Sequence, residues 1–288
     1  MIVAESIERI RAAVADARRA GRKPVGLVPT MGALHAGHYS LIDAAVAECG
    51  FVVVSLFVNP TQFGPGEDLD SYPRTLEADL AGCQARGVSA VFAPTPKEMY
   101  PDGFATTVHV AGLTEGLCGA ARPGHFDGVC TVVAKLLSIV APDAAYFGAK
   151  DYQQAAVIRR LVADLDLPVR IAVCPTVREP DGLAMSSRNT RLSPDERRQA
   201  VALVESLRLA REMVRRGQRS AAVVAESIRA HLAEKAPLAT VDYVEIIDPD
   251  ALTAVVSIEE PVVAALAARF PSARLIDNMA LDPPRGEA

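Results

Sequence analysis

Along the first 175 residues, short apolar runs alternate with stretches whose apolar residues recur every three or four positions. "VGLVP" (25–29), "FVVVSLFV" (51–58), "AVFAP" (90–94), "AAYFG" (144–148) and "VRIAVCP" (169–175) read as buried strands rich in β-branched residues. Helical patterns fill the gaps at 37–49, 74–86, 126–140 and 152–165, and Ile7, Ile10 and Val14 repeat at helical spacing ahead of them. This alternation predicts a parallel sheet with helices on both faces. Ligands of such sheets bind at the carboxyl ends of the strands, near the point where the strand order reverses. Three polar stretches, "PTMGALHAGH" (29–38), "NPTQF" (59–63) and "GAKDYQQ" (148–154), each directly follow a predicted strand.

Beyond "VREPDGLAMSSRN" (177–189) the pattern changes. Helical stretches at 194–216 and 219–234 precede "VDYVEIID" (241–248), which alternates like a strand with one exposed face. The apolar "PVVAALAARF" (261–270) and the short strand "ARLIDNM" (273–279) follow, and "DPPRGEA" at the end is expected to fray. The expectation is a domain over 1–176 and a smaller α+β domain over 177–288.

A chain of 288 residues exceeds the usual single compact domain, in keeping with two. Half of it is hydrophobic, enough for a real core, and its net charge of −5 argues against a broad sequence-independent grip on nucleic acid. The five cysteines are scattered without a CxxC pair and read as reduced core or near-core thiols. The N-terminal stretch mixes acidic and basic residues and lacks the apolar centre of a signal peptide, and no window reaches the roughly 18 apolar residues of a membrane span. A cytoplasmic location is expected.

The chemistry concentrates in four places. His35 and His38 flank Gly37 where a helix is expected to begin, and free backbone N–H groups there favour an anion that imidazoles can also hydrogen-bond. "AMSSRN" (184–189) offers two hydroxyls and a guanidinium suited to phosphate. Lys150 and Asp151 offer a cation for phosphate and an acceptor for ribose hydroxyls, with Gln154 one helical turn on. Asn59 and Gln62, with Pro60 fixing the backbone between them, are amides placed for a small polar substrate. Taken singly, each has a plain alternative as a solvated turn or helix start. Zinc is disfavoured because the other histidines show no ligand spacing, and the GxxxxGK[ST], GxGxxG, GxSxG and HExxH motifs are missing.

Together these stretches resemble a known family. "HAGH" is similar to the HxGH signature of the HIGH-type nucleotidyltransferase superfamily, and "MSSRN" to its KMSKS-type loop. "PTMGALHAGH", "FVNPTQF", "RPGHFDGV", "GAKDYQQ" and "MSSRN", in this order and spacing, resemble the pantoate–β-alanine ligase family over about residues 1–280. The resemblance implies an α/β fold, a Rossmann-like parallel-sheet catalytic domain followed by a smaller α+β lid domain, in a homodimer. It implies that ATP and (R)-pantoate form pantoyl adenylate and pyrophosphate, and that β-alanine then gives pantothenate and AMP.

By matching position, the resemblance gives His35 and His38 the charge building up at the α-phosphate, with His38 the usual catalytic acid. Lys150, Ser186, Ser187 and Arg188 would hold the triphosphate, and Asp151 with Gly148 the ribose. Met31, Gly37, Val177 and Met185 would surround the adenosine, and Thr30, Gly32, Ala33, Leu34 and Ala149 belong to the same nucleotide-binding set. Gln62 and Gln154 would hold pantoate, with Asn59 serving amine transfer. Mg²⁺ is expected with ATP, and Asp79 in "LEADLAG" matches an acidic position for that ion. Ala149 departs from the family pattern, where Glu is common. Competing readings are another HIGH-type nucleotidyltransferase acting on a phosphorylated acceptor, a tRNA synthetase fragment, which lacks a basic surface, and a non-catalytic nucleotide sensor.

Overall fold

The computed structural model describes residues 1–284 and divides into two compact units. The first comprises Met1–Ala111, Arg122–Ala149 and Gln154–Thr176. The second takes Val177 onward together with Gly112–Ala121 and Lys150–Gln153. The linear boundary at 176 therefore leaves out two short segments that belong with the second unit. Gln153 explains part of this: its side chain donates to the carbonyls of Leu113 and Gly116 and accepts from the N–H of Cys118.

In chain order the elements are β1 (Ile2–Ala4), α1 (Ile7–Arg19), β2 (Val25–Thr30), α2 (Ala36–Glu48), β3 (Phe51–Leu56), α3 (Leu76–Ala85), β4 (Ala90–Phe92) and α4 (Pro96–Met99). Then come α5 (Leu117–Ala121), α6 (His125–Val140), β5 (Ala144–Gly148), α7 (Tyr152–Asp164), β6 (Arg170–Cys174), α8 (Pro194–Ala200), α9 (Ala202–Arg215), α10 (Ala221–Lys235), β7 (Thr240–Ile247), β8 (Val262–Arg269) and β9 (Arg274–Leu281).

The first unit is the expected parallel sheet, in the order β1-β4-β3-β2-β5-β6. Every residue of β3 is buried, as a parallel strand covered on both faces requires. On one face Val28, Val52, Val54 and Tyr146 pack against Leu41, Ile42 and Ala45 of α2, while α1 and α6 pack together on the other. The strand order reverses between β2 and β5, so the ends of these two strands form the switch point, and "MGALHAGH" leaves β2 there. β1 escaped the pattern reading because three residues are too few to show a period.

The second unit carries an antiparallel sheet, β7-β8-β9, with α9 and α10 packed on it around Leu203, Leu207, Val224, Ile228, Ala264 and Leu266. The single helix expected over 194–216 is two, meeting at Val201. Of the stretch expected to fray, 285–288 lie outside the described residues. All five cysteines are free thiols, Cys83, Cys118 and Cys130 being buried.

Glu196 ties α8 to the turn between β8 and β9. Its carboxylate accepts from the Ser193 N–H at the helix start and from the N–H and hydroxyl of Ser272. These bonds, the Ser193 N–H first, hold its pKa down at about 2. A lowered carboxylate pKa contributes stability that is complete above the ordinary glutamate value and is lost as pH falls through the folded value. Glu196→Gln should therefore lower the denaturation midpoint at neutral pH. The gap to the parent protein should narrow between about pH 4.5 and about pH 2 in a series of denaturant titrations.

Candidate active site

β2 ends at Thr30, whose hydroxyl donates to the Ser55 carbonyl at 2.8 Å and accepts from the Gly32 N–H at 3.2 Å. The next two residues turn through left-handed backbone, Gly32 at φ +83° and Ala33 at φ +51°. Such a conformation is free for glycine and costs alanine roughly 1–2 kcal/mol. The turn is held by Asp79 of α3, which is 3% exposed. Its Oδ2 accepts from the Ala33 N–H at 2.9 Å and its Oδ1 from the Leu34 N–H at 2.8 Å.

His35 is the N-cap of α2. Its Nδ1 accepts from the Gly37 N–H at 3.1 Å, and the His35 N–H donates in turn to Nδ1 of His38 at 3.4 Å. The two rings lie 4.1 Å apart between centroids, tilted by 34°. A neutral imidazole that accepts at Nδ1 carries its proton on Nε2. Both rings are thereby set as Nε2–H donors at the first turn of a helix, where the backbone already favours an anion.

Beside this turn the amides of "NPTQF" form a locked set. Asn59 donates from Nδ2 to Gln62 Oε1 and to the Gly128 carbonyl, both at 3.1 Å. Its Oδ1 accepts from the hydroxyls of Tyr100 at 2.8 Å and Thr61 at 3.0 Å. Burial pushes the Tyr100 phenol up from its ordinary value, which keeps it a neutral donor. Gln62 then directs Nε2 at Met31 Sδ, 3.2 Å away, so the orientation of its amide is fixed from both sides. Asn59 is only 1% exposed, and its side-chain bonds are made to Gln62, Gly128, Tyr100 and Thr61.

The carbonyl of Gln62 accepts from Nδ1 of His125 at 2.8 Å and from Arg122, which also grips Glu67 at 2.7 and 2.6 Å. The Arg122 guanidinium holds the Glu67 carboxyl below the usual carboxylate range. Arg122 and His125 stand in "RPGHFDGV", a stretch that supported the resemblance without any role being assigned to its residues. Gly128 of the same stretch packs directly on the amide loop: a Cβ there would lie 2.3 Å from the Thr61 carbonyl oxygen.

Gly148 and Ala149 follow β5, and Gln154 sits half-buried on the first turn of α7. The remaining residues belong to the second unit. Lys150 pairs with Asp151 at 3.8 Å, and its carbonyl accepts from Asn278. Val177 and Met185 face each other across a short hairpin closed by the Met185 N–H on the Val177 carbonyl. Arg178 braces that hairpin through two bonds to the buried Asp277, at 2.7 and 3.0 Å. Ser186 caps the 3-10 turn Ser187–Arg191 by accepting from the Arg188 N–H.

The metal expectation fits this arrangement poorly. Both Asp79 oxygens already serve the chain's own donors, and no group of three or more His, Cys, Asp or Glu able to hold an ion occurs among the described residues. Asp79 holds the turn by accepting from the N–H groups of Ala33 and Leu34.

A family model described as Pantoate-beta-alanine ligase matches residues 2–280. The chain belongs to the pantoate–β-alanine ligase family. It is 50% identical over 285 residues to the pantothenate synthetase of Acetivibrio thermocellus, covering 98% of this chain and 100% of that one. The pantothenate synthetase of Moorella thermoacetica is 52% identical, at 98% and 99% coverage. Among solved structures, the pantothenate synthetase of Thermus thermophilus superposes with a TM-score of 0.93 at 48% identity, over 98% of this chain and 100% of that one. The Francisella tularensis pantoate–β-alanine ligase, complexed with β-γ ATP and β-alanine, gives 0.80 at 35% identity and 97% coverage of both chains.

Gly128→Ala should force the Thr61 carbonyl away and turn Asn59 and Gln62 with it. The expected result in a kinetic assay of the family's reaction is a rise in KM for pantoate larger than that for ATP, beside a lowered melting temperature. Equal kinetic constants would contradict the close packing at Gly128.

Proposed function

We propose that this chain forms pantothenate in two steps at one site, through pantoyl adenylate. The overall reaction, ATP-dependent joining of pantoate to β-alanine, is that of the family. In the first step a carboxylate oxygen of (R)-pantoate attacks the α-phosphorus of ATP and pyrophosphate leaves. In the second the β-alanine amine attacks the acyl carbon, the C–O bond to AMP breaks, and the amine loses its proton.

Substitution at phosphorus asks for positioning and for stabilisation of charge on the phosphoryl oxygens, with no covalent nucleophile from the protein. The observation that supports this reading most directly is the pair of imidazoles at the first turn of α2, at the switch point of the sheet, each with Nδ1 accepting a backbone N–H and Nε2 left to donate. In this account His35 and His38 donate to the α-phosphate as charge develops there. Gln62, its amide already oriented, aligns pantoate for attack, with Gln154 its partner in that task. Lys150, Ser186, Ser187 and Arg188 take the triphosphate, and Asp151 the ribose. ATP enters as its Mg²⁺ complex, the ion being part of the substrate. A cytoplasmic homodimer completes the proposal, its stoichiometry open to sedimentation of the full chain.

The test is ATP–pyrophosphate exchange with Mg²⁺ and (R)-pantoate in the absence of β-alanine. Exchange should depend on pantoate, and His38→Ala should lower its rate by about 100-fold or more, the usual effect of removing one donor to developing negative charge. Lys150→Ala should also abolish adenylation in a folded protein. Near-normal exchange in both variants would overturn the residue roles, and exchange without pantoate would overturn the adenylate.

A further inference from the structure

We infer that Asp79 is a positioning residue for the adenylation step: its carboxylate shapes the turn that sets His35 and His38, and it holds no metal ion. The inference rests on the reaction proposed above.

The chain of contacts is continuous. Asp79 accepts from two consecutive backbone N–H groups, those of Ala33 and Leu34, and Leu34 immediately precedes the N-cap His35. The His35 N–H is in turn the donor that orients the ring of His38, and the Gly37 N–H orients the ring of His35. A shift of residues 33 and 34 therefore moves both imidazoles. At its other end the turn is anchored by Thr30 on Ser55. The Asp79 bonds hold Ala33 in its left-handed backbone, a conformation that lacks the freedom a glycine would have there.

The carboxylate itself is fixed. Thr75, the N-cap residue of α3, donates its hydroxyl to Oδ2 at 3.2 Å, giving that oxygen a second partner. A Cβ on Gly32 would come within 3.1 Å of the same oxygen, so the backbone has closed on it. Glu77, the nearby acid of α3, is exposed while Asp79 is buried, so the two do not converge on an ion. Mg²⁺ also keeps several waters when bound, which a carboxylate enclosed by backbone and hydroxyl donors does not accommodate.

Asp79→Asn keeps the shape but turns one accepting oxygen into a donor that faces a backbone N–H. Pantoate-dependent exchange should fall about 10- to 100-fold in kcat, as small misplacements of reacting groups do. The Mg²⁺ concentration for half-maximal activity should stay unchanged. Thr75→Val, which removes one of the three bonds to the carboxylate, should show a smaller fall of the same kind, and it carries the test alone if Asp79→Asn does not fold. Three results would overturn the inference: full activity of the variants, recovery of activity at raised Mg²⁺, or a loss no greater than the loss of folded protein in thermal denaturation. Absence of exchange in the parent protein would instead overturn the functional reading on which the inference stands.

Discussion

Asp79 lies 46 residues beyond Ala33 in the chain, yet its two oxygens sit 2.9 and 2.8 Å from the N–H groups of Ala33 and Leu34. Hydrogen bonds to a charged group contribute about 1.5–3 kcal/mol each, so two of them outweigh the roughly 1–2 kcal/mol that alanine loses in left-handed backbone. With the turn held in this way, α2 begins at Ala36 with His35 as its cap and the two imidazoles side by side, tilted, at the first turn. Its apolar residues Leu41, Ile42 and Ala45 then continue onto the sheet. The same bonds thus serve the fold and the site.

The amide cluster obeys a similar rule of full satisfaction. Asn59 is buried with both atoms of its side-chain amide hydrogen-bonded, and what it delivers is the orientation of Gln62. Buried polar groups are tolerated in such a position only when all are paired. Arg122, His125 and Glu67 complete the support from outside by fixing the backbone carbonyl of Gln62, and a glycine at 128 lets α6 approach the loop. The reacting groups of the proposed mechanism are few, and most of the polar side chains nearby hold those few in place.

Much of this was legible in the sequence. The strands of the parallel sheet, β1 excepted, announced themselves as unbroken apolar runs, since a strand covered on both faces has no polar positions to break the run. The loops carrying His35, Gln62 and Lys150 stood out because polar clusters directly after such runs mark strand ends. What stayed hidden was contact at a distance. The bonds from Tyr100 to Asn59 and from Asp79 to the turn span 41 and 46 residues, and no local period records them. Asp79 is offered to a metal ion only by its match to an acidic position of the family, and nothing local to "LEADLAG" marks the backbone donors it meets. Gly128 gave a better signal, a glycine inside a helical run, which marks a close approach even though its partner cannot be named from sequence.

The central claim is that the turn between β2 and α2 presents two imidazoles with their protons on Nε2. Nitrogen-15 NMR of the full protein labelled at histidine, at about pH 8 where a free imidazole is neutral, reads the tautomer of each ring directly. Signals assigned to His35 and His38 through their Ala variants should both show the Nε2–H pattern, with an unprotonated Nδ1. An Nδ1–H tautomer at either residue would mean that the backbone donors do not set the rings, and would contradict the account.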